Sequence, residues 1–261
     1  MRRAALLVLV LPSVIYLLAM FVYPFAYGVF LSLHPSQGGS GASLANYLAF
    51  FGDPWQLRTI AVTASIAVPN TIVTVALALT VAYAMRRGIW AERTITALLV
   101  LPIALGIVSE PFILTHNYIG VVLALFMQQF PFCFLMLLGY ISGIDPALEA
   151  SARVLGARPW AVFRRVMWPL IAPGAAIAFA LVFVMNFGVF PSAVLVGQPA
   201  GQTRTIAIAA YQQAFEHSDM SMASAIAVVM GLCQLLGLAI VVGLRGRLAA
   251  TGVATVGAGK R

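Results

Sequence analysis

The side chains of this 261-residue chain that could do chemistry are few, and they cluster. The densest group lies between residues 142 and 170, where Gly143 to Gly174 reads GIDPALEASARVLGARPWAVFRRVMWPLIAPG. It contains no nucleophile beside a base and no metal-ligand spacing, so the chemistry on offer is recognition. Trp160, Phe163 and Val166 recur every three residues, and Arg158, Arg164 and Arg165 rim that apolar strip. An exposed strip of this kind asks for a protein partner. A basic amphipathic segment lying on a membrane surface would read the same way.

Elsewhere the inventory is thinner. Glu110 is the one carboxylate inside a long apolar run. Counted from Arg93 it lies about 25 Å up a helix. It is either a binding group for a cationic solute or a residue at the outer headgroups beside Pro111. Asn186 sits in mid-run between Met185 and Phe187, where it could line a pathway or hydrogen-bond a neighbouring helix. His34, His116 and His217 fall on separate loops without a ligand spacing, and Glu216, His217 and Asp219 form a small acidic patch. Cys133 and Cys233 lie inside apolar runs and read as small buried hydrophobes. The sequence contains no Gly-x-x-x-x-Gly-Lys-[Ser/Thr], no Gly-x-Ser-x-Gly and no His-Glu-x-x-His, so phosphate cradling, elbow-type acyl transfer and zincin chemistry are not encoded by those motifs.

The elements that must position these residues follow from composition. The chain is 62% hydrophobic and 8% charged, whereas soluble domains carry about 25% charged residues. That deficit places it in a bilayer, as an all-α integral membrane protein. A span needs about 20 mainly apolar residues, and six segments qualify: 4–33, 60–85, 94–114, 118–141, 171–196 and 220–244. The resulting organisation is an N-terminal transmembrane helix over 1–33, an extracytoplasmic loop over 34–57, a transmembrane domain over 58–248 and a flexible tail over 249–261. The run after Arg2-Arg3 is too long for a signal-peptide core and is read as a retained span.

Six spans put both termini on one side. If that side is the cytoplasm, 13 of the 15 Lys and Arg residues are inside, and only Arg58 and Arg204 are outside. That split satisfies the positive-inside rule. The net charge of +8 is thus a topological signal and argues against nucleic acid, which would need a basic face. Pro12, Pro24, Pro69, Pro102, Pro131 and Pro191 punctuate the spans and shape them. Between spans four and five, Asp145-Pro146 starts a helix, Gly156 stops it, and Pro159 opens a second one. A cytoplasmic helix–turn–helix is therefore expected over 142–170, with Pro169 at its re-entry to the membrane.

This loop resembles the EAA loop of binding-protein-dependent ABC importer permeases, in which Glu-Ala-Ala is followed by a Gly and then Ile-x-Leu-Pro. Gly156 is followed ten residues later by Val166 and thirteen later by Pro169, which is the family spacing. Two positions depart: Ala150 stands at the family's Glu, with Glu149 one place early, and Trp168 precedes Pro169 where Leu is usual. The block LVFVMNFGVFPSAVLVG, Ala210-Tyr211 and the phrase FVYP look most like the spermidine/putrescine and ferric-iron branch.

The resemblance implies a type I permease subunit that moves a small solute, a polyamine or related small cation, delivered by an extracytoplasmic binding protein. A sugar, glycerol phosphate, phosphonate or ferric iron stays open. It implies ATPase coupling through Glu149, Ala150, Gly156, Trp160, Phe163, Arg164, Arg165, Val166 and Pro169. Pathway candidates are Glu110, Asn186, Phe187 and Tyr211. The expected partners are a cytoplasmic ABC ATPase dimer that carries ATP and Mg, a second permease subunit that is a different chain, and membrane lipids. No cofactor is expected in this chain, and the location is the bacterial inner membrane. A passive channel or an intramembrane enzyme is the alternative of another class; neither calls for the long cytoplasmic loop.

Overall fold

The computed structural model describes residues 2–34, 41–86 and 116–257. The predicted third span, with Glu110, falls outside them. Nine α-helices occur among the described residues, with a π-helical turn over Gln212–Glu216 after the eighth, and no strand. In chain order they are α1 (Arg2–Ser32), α2 (Ala45–Gly52), α3 (Pro54–Met85), α4 (Tyr118–Ser142), α5 (Pro146–Val154), α6 (Pro159–Phe187), α7 (Pro191–Leu195), α8 (Ile206–Tyr211) and α9 (Met220–Gly257). Five are long and apolar enough to cross a membrane: α1, α3, α4, α6 and α9.

The boundaries depart from the sequence reading in four places, each for a local reason. The second span begins at Pro54 rather than near Ile60. Asp53 caps it, its carboxylate accepting from the Trp55 amide at 2.8 Å, so Arg58 lies inside the helix with its guanidinium over the Trp55 ring. The loop expected over 34–57 also contains α2. The fifth span ends at Phe187, not near Val196. Gly188 closes it by bonding back to the Val184 carbonyl, and Pro191 heads a separate short helix, where its missing N–H costs nothing. The tail expected from Ala249 is helical as far as Gly257. No proline follows Leu244, and Arg245 and Arg247 are good helix formers.

Two compact units divide the chain. The first comprises residues 1–60 and 206–232. In it the Asn46 amide donates to the Ser32 carbonyl at 2.9 Å, and the Ser221 hydroxyl donates to the His34 carbonyl at 2.7 Å. Helix α2 and the start of α9 are therefore pinned to the end of α1. From Leu11 to Tyr27 every side chain of α1 is exposed.

The second unit comprises residues 61–205 and 233–261 and carries the candidate site. Helices α3 and α4 run in the same direction. Tyr118, at the start of α4, donates to the Ser65 carbonyl at 2.8 Å, while Arg86, at the end of α3, reaches Ile144 just past the end of α4. Helix α6 runs against both. Their shared core contains Val75, Ala78, Ala82 and Met85 of α3, Phe130, Phe134, Leu137 and Ile141 of α4, and Val162, Met167, Ile171 and Val182 of α6. On α3 the buried positions recur every three or four residues from Thr63 to Met85, one face of a helix. Close approach depends on two glycines. A Cβ on Gly174 would lie 2.6 Å from Cε1 of Tyr140, and one on Gly237 would lie 2.7 Å from Cζ of Phe183.

Candidate functional site

The helical hairpin between α4 and α6 is built from strong local signals. Asp145 accepts from the Ala147 amide at 2.9 Å and Pro146 occupies the first turn of α5. The other end of α5 closes in a Schellman turn. Gly156 adopts φ +79°, its N–H bonds to the Arg153 carbonyl at 2.9 Å, and the Ala157 N–H bonds to the Ala152 carbonyl at 3.2 Å. This is the paired geometry that favours glycine in the left-handed region. Nothing lies within 4 Å of a Cβ added to Gly156, so replacing it carries a conformational penalty alone. We expect Gly156→Ala to destabilise the hairpin by about 1–2 kcal/mol, and Gly156→Asn to lose much less. Faster hydrogen exchange confined to residues 146–158 would report this.

Pro159 then starts α6, and the helix does not stop at Pro169. Residues Phe163–Met167 form a π-turn in which the Trp168 N–H bonds to the Phe163 carbonyl. A proline ring presses on the carbonyl four residues back, here that of Arg165. A π-turn widens the helix at that point and lets it continue. Helix α6 is therefore one element of 29 residues, about 43 Å long. That exceeds the roughly 30 Å hydrocarbon core, so its first turns project from a span. The expected separate second helix of the hairpin is the extension of the fifth span itself.

The hairpin divides the predicted coupling residues between two faces. Trp160 is 69% exposed, with its ring stacked 5.7 Å from that of Phe163. Phe163 and Val166 are half-buried and pack on the core; Phe163 meets the Tyr83 ring edge-on at 5.2 Å. Only Trp160 of the expected apolar strip is fully presented. The open face is completed by residues the sequence reading passed over: Val154 and Leu155, each 87% exposed, and Leu148. The signal was present in a pair of large aliphatics directly before a stop glycine. The Schellman turn bonds Ala157 back to Ala152, both of which pack on the core, and leaves the Val154 and Leu155 side chains largely exposed. Arg158, Arg164, Arg165, Ala150, Gly156 and Pro169 are exposed. Glu149 pairs with Arg153 at 2.6 Å, one turn on, so the carboxylate displaced from the family position supports its own helix.

The hairpin's root is held by Arg86. Its Nη2 donates to the Ile144 carbonyl at 2.7 Å, and its Nη1 approaches Sδ of the buried Met167 at 3.7 Å. The sequence reading had used Arg86 only as a topological charge.

Three of the four pathway candidates lie among the described residues. Asn186 is fully buried. Its amide donates to Oγ1 of Thr71 at 3.0 Å and accepts from the Asn70 amide at 3.2 Å, so it joins α6 to α3 instead of facing an opening. Phe187 is buried, with its ring 5.5 Å from that of Phe183. Tyr211 belongs to the other unit, where it is 43% exposed with its ring 4.9 Å from that of Phe215. Glu110 lies outside the described residues. Two buried oxygens near mid-span, Thr74 Oγ1 and Gln129 Oε1, have no partner among the described residues.

Comparison with known proteins agrees with this architecture. The chain is 24% identical over 253 residues to the probable starch degradation products transport system permease protein AmyD of Thermoanaerobacterium thermosulfurigenes, covering 85% of this chain and 87% of that one. It is 37% identical over 93 residues to the molybdenum transport system permease protein ModB of Escherichia coli K12, covering 35% of this chain and 41% of that one. The fold superposes with a TM-score of 0.77, at 16% identity and over 95% of this chain and 96% of the other, on a chain of a bacterial alginate ABC transporter in complex with an alginate pentasaccharide-bound periplasmic protein. Residues 80–250 match the family described as the binding-protein-dependent transport system inner membrane component. The match covers more than half of the chain, and this chain belongs to that family: it is a multi-pass permease subunit of an ABC importer.

Proposed function

We propose that this subunit moves a sugar or short oligosaccharide delivered by an extracytoplasmic binding protein, and that a separate ATPase drives it through the α5–α6 hairpin. The observation that carries the coupling is the open face of Leu148, Val154, Leu155 and Trp160 on a hairpin whose second limb is continuous with a span. Apolar side chains 87% exposed outside a membrane-length segment need a partner surface. The arginines at its edge, Arg158, Arg164 and Arg165, suit a partner with acidic groups. Because the chain has no phosphate-cradling loop, ATP and Mg belong to that partner. The distribution of Lys and Arg favours both termini and the hairpin on the cytoplasmic side. A second permease subunit would cover apolar helix surface such as that of α1.

The solute class rests on the relative matched along nearly its whole length, a permease for starch degradation products. The polyamine expected from local phrases in residues 181–225 is set aside. Those phrases are short, and the side chains in them are largely spent on packing: Asn186 and Phe187 are buried. The match to the molybdenum permease is higher in identity but confined to 93 residues, which makes an oxyanion the second reading. Uptake of radiolabelled maltotriose and of molybdate by the native host, with and without this chain, separates the two. Maltotriose uptake should fall at least about tenfold in the deletion strain, with molybdate uptake unchanged. Unchanged maltotriose uptake with lost molybdate uptake would reverse the assignment.

A further inference from the structure

The hairpin is gripped by a span to which it is not joined in sequence. Helix α3 ends at Met85, and its last turn touches both limbs of the hairpin. On the entry limb, Arg86 donates to the Ile144 carbonyl at 2.7 Å. That carbonyl has no nearby backbone donor to use. Pro146 has no N–H, the Ala147 N–H is taken by the Asp145 carboxylate, and the Leu148 N–H by the Asp145 carbonyl. A guanidinium can serve two acceptors at once from a planar fork, and the second nitrogen faces Met167 in the π-turn of the exit limb. One turn earlier, Tyr83 sets its ring edge-on to Phe163, also in the π-turn. Higher in the bundle the same two helices are bonded again, Asn70 and Thr71 of α3 to Asn186 of α6. The two levels are about 24 Å apart along α3.

We infer that Arg86 is a positioning residue for transport: it clasps the hairpin so that a displacement imposed on the hairpin carries α3 along with α6. Helix α6 moves because it is covalently continuous with the dock. Helix α3 has no such connection, and without the clasp its inner end is left behind. Two helices bonded at two separated levels respond as one body, and a packed element with discrete positions is what conveys a displacement between distant sites. The inference rests on the proposed docking of the hairpin on an ATPase.

The test uses the complete importer reconstituted in liposomes, with Mg-ATP and vanadate as the probe. In a background carrying Cys133→Ala and Cys233→Ala, spin labels at Ile119→Cys and Ala147→Cys report the hairpin. Labels at Ile119→Cys and Thr80→Cys report α3. In the parent both distances should shift on nucleotide trapping, by on the order of 5 Å. In Arg86→Ala the hairpin pair should still shift, while the α3 shift falls to about a third or less. Arg86→Lys should recover about half of it, because an ammonium keeps one donor for Ile144 and gives up the fork. Equal α3 shifts in Arg86→Ala and the parent would overturn the inference. So would loss of both shifts together with loss of the co-purifying ATPase, which would make Arg86 a support for the hairpin's shape only. A parent complex with no ATPase subunit, or with no hairpin shift, would remove the docking proposal and this inference with it.

Discussion

Replacing Val154 and Leu155 together with Asp should abolish co-purification of an ATPase subunit while leaving the permease folded. The two side chains are each 87% exposed, so the subunit's own packing does not depend on them. In a docked complex their burial would contribute about 1.5–3 kcal/mol each. A carboxylate put in the same place adds a desolvation penalty of several kcal/mol. The sum exceeds about 4 kcal/mol, or about a thousandfold in the dissociation constant. Affinity purification in mild detergent measures the ratio of the two subunits, and the melting temperature of the isolated permease provides the control. A retained complex, within about twofold of the parent, would place the docking surface elsewhere. Replacing Trp160 with Asp alone should have a smaller effect, because its ring is partly shared with Phe163.

The second large effect is expected at Gly174. Any side chain there meets the Tyr140 ring near its attachment point, 2.5 Å from Cγ and 2.6 Å from Cε1. That part of a tyrosine moves only by a change of χ1, so either Tyr140 leaves its rotamer or α4 and α6 separate. Overpacking of this kind costs about 1–3 kcal/mol, and Gly174→Leu should lie at or above the upper end. The melting temperature in detergent should fall by several degrees. Combining Gly174→Leu with Tyr140→Ala should recover much of the loss, because neighbouring substitutions are not additive when they share one space. If the double variant is as unstable as the sum of the singles, the contact is not what separates the helices. The same geometry makes α4 and α6 one packed pair, with the hairpin standing at their shared end.

What could be read from the sequence was whatever a few adjacent residues specify. Asp145-Pro146, Gly156 and Pro159 mark the hairpin's turns, and the structure uses each of them as read. The apolar runs marked five of the spans. Two kinds of information stayed hidden. One is pairing over long separations: the partners of Asn186 are 115 and 116 residues away, and that of Arg86 is 58 away, so no local pattern announces them. The other is side-chain direction. The strip Trp160, Phe163 and Val166 was read with ordinary helical spacing, and that spacing does not hold across the π-turn. Phe163 and Val166 pack on the core beside Val162 and Met167, and the exposed apolar work passes to Val154 and Leu155. Helix starts suffered in a milder way, since Arg58 masked the beginning of α3, where Asp53-Pro54 was the better sign.

The π-turn also sets an angle. Along α6 the buried positions step from Val162 to Met167, a stride of five, and then to Ile171, Gly174, Ala178 and Val182 in strides of three and four. A regular helix turns about 100° per residue, so a stride of five in it would carry Met167 about 140° from Val162; the π-turn absorbs the extra residue and keeps both on the buried face. The azimuth at which Trp160 faces outward is thus kept in step with the face that α6 turns to α3 and α4. Loss of a single residue between Phe163 and Met167 would therefore restore an ordinary stride of four and leave Trp160 on nearly the same azimuth. A further residue inserted there has no such outlet and would turn Trp160 by about 100° from its present azimuth.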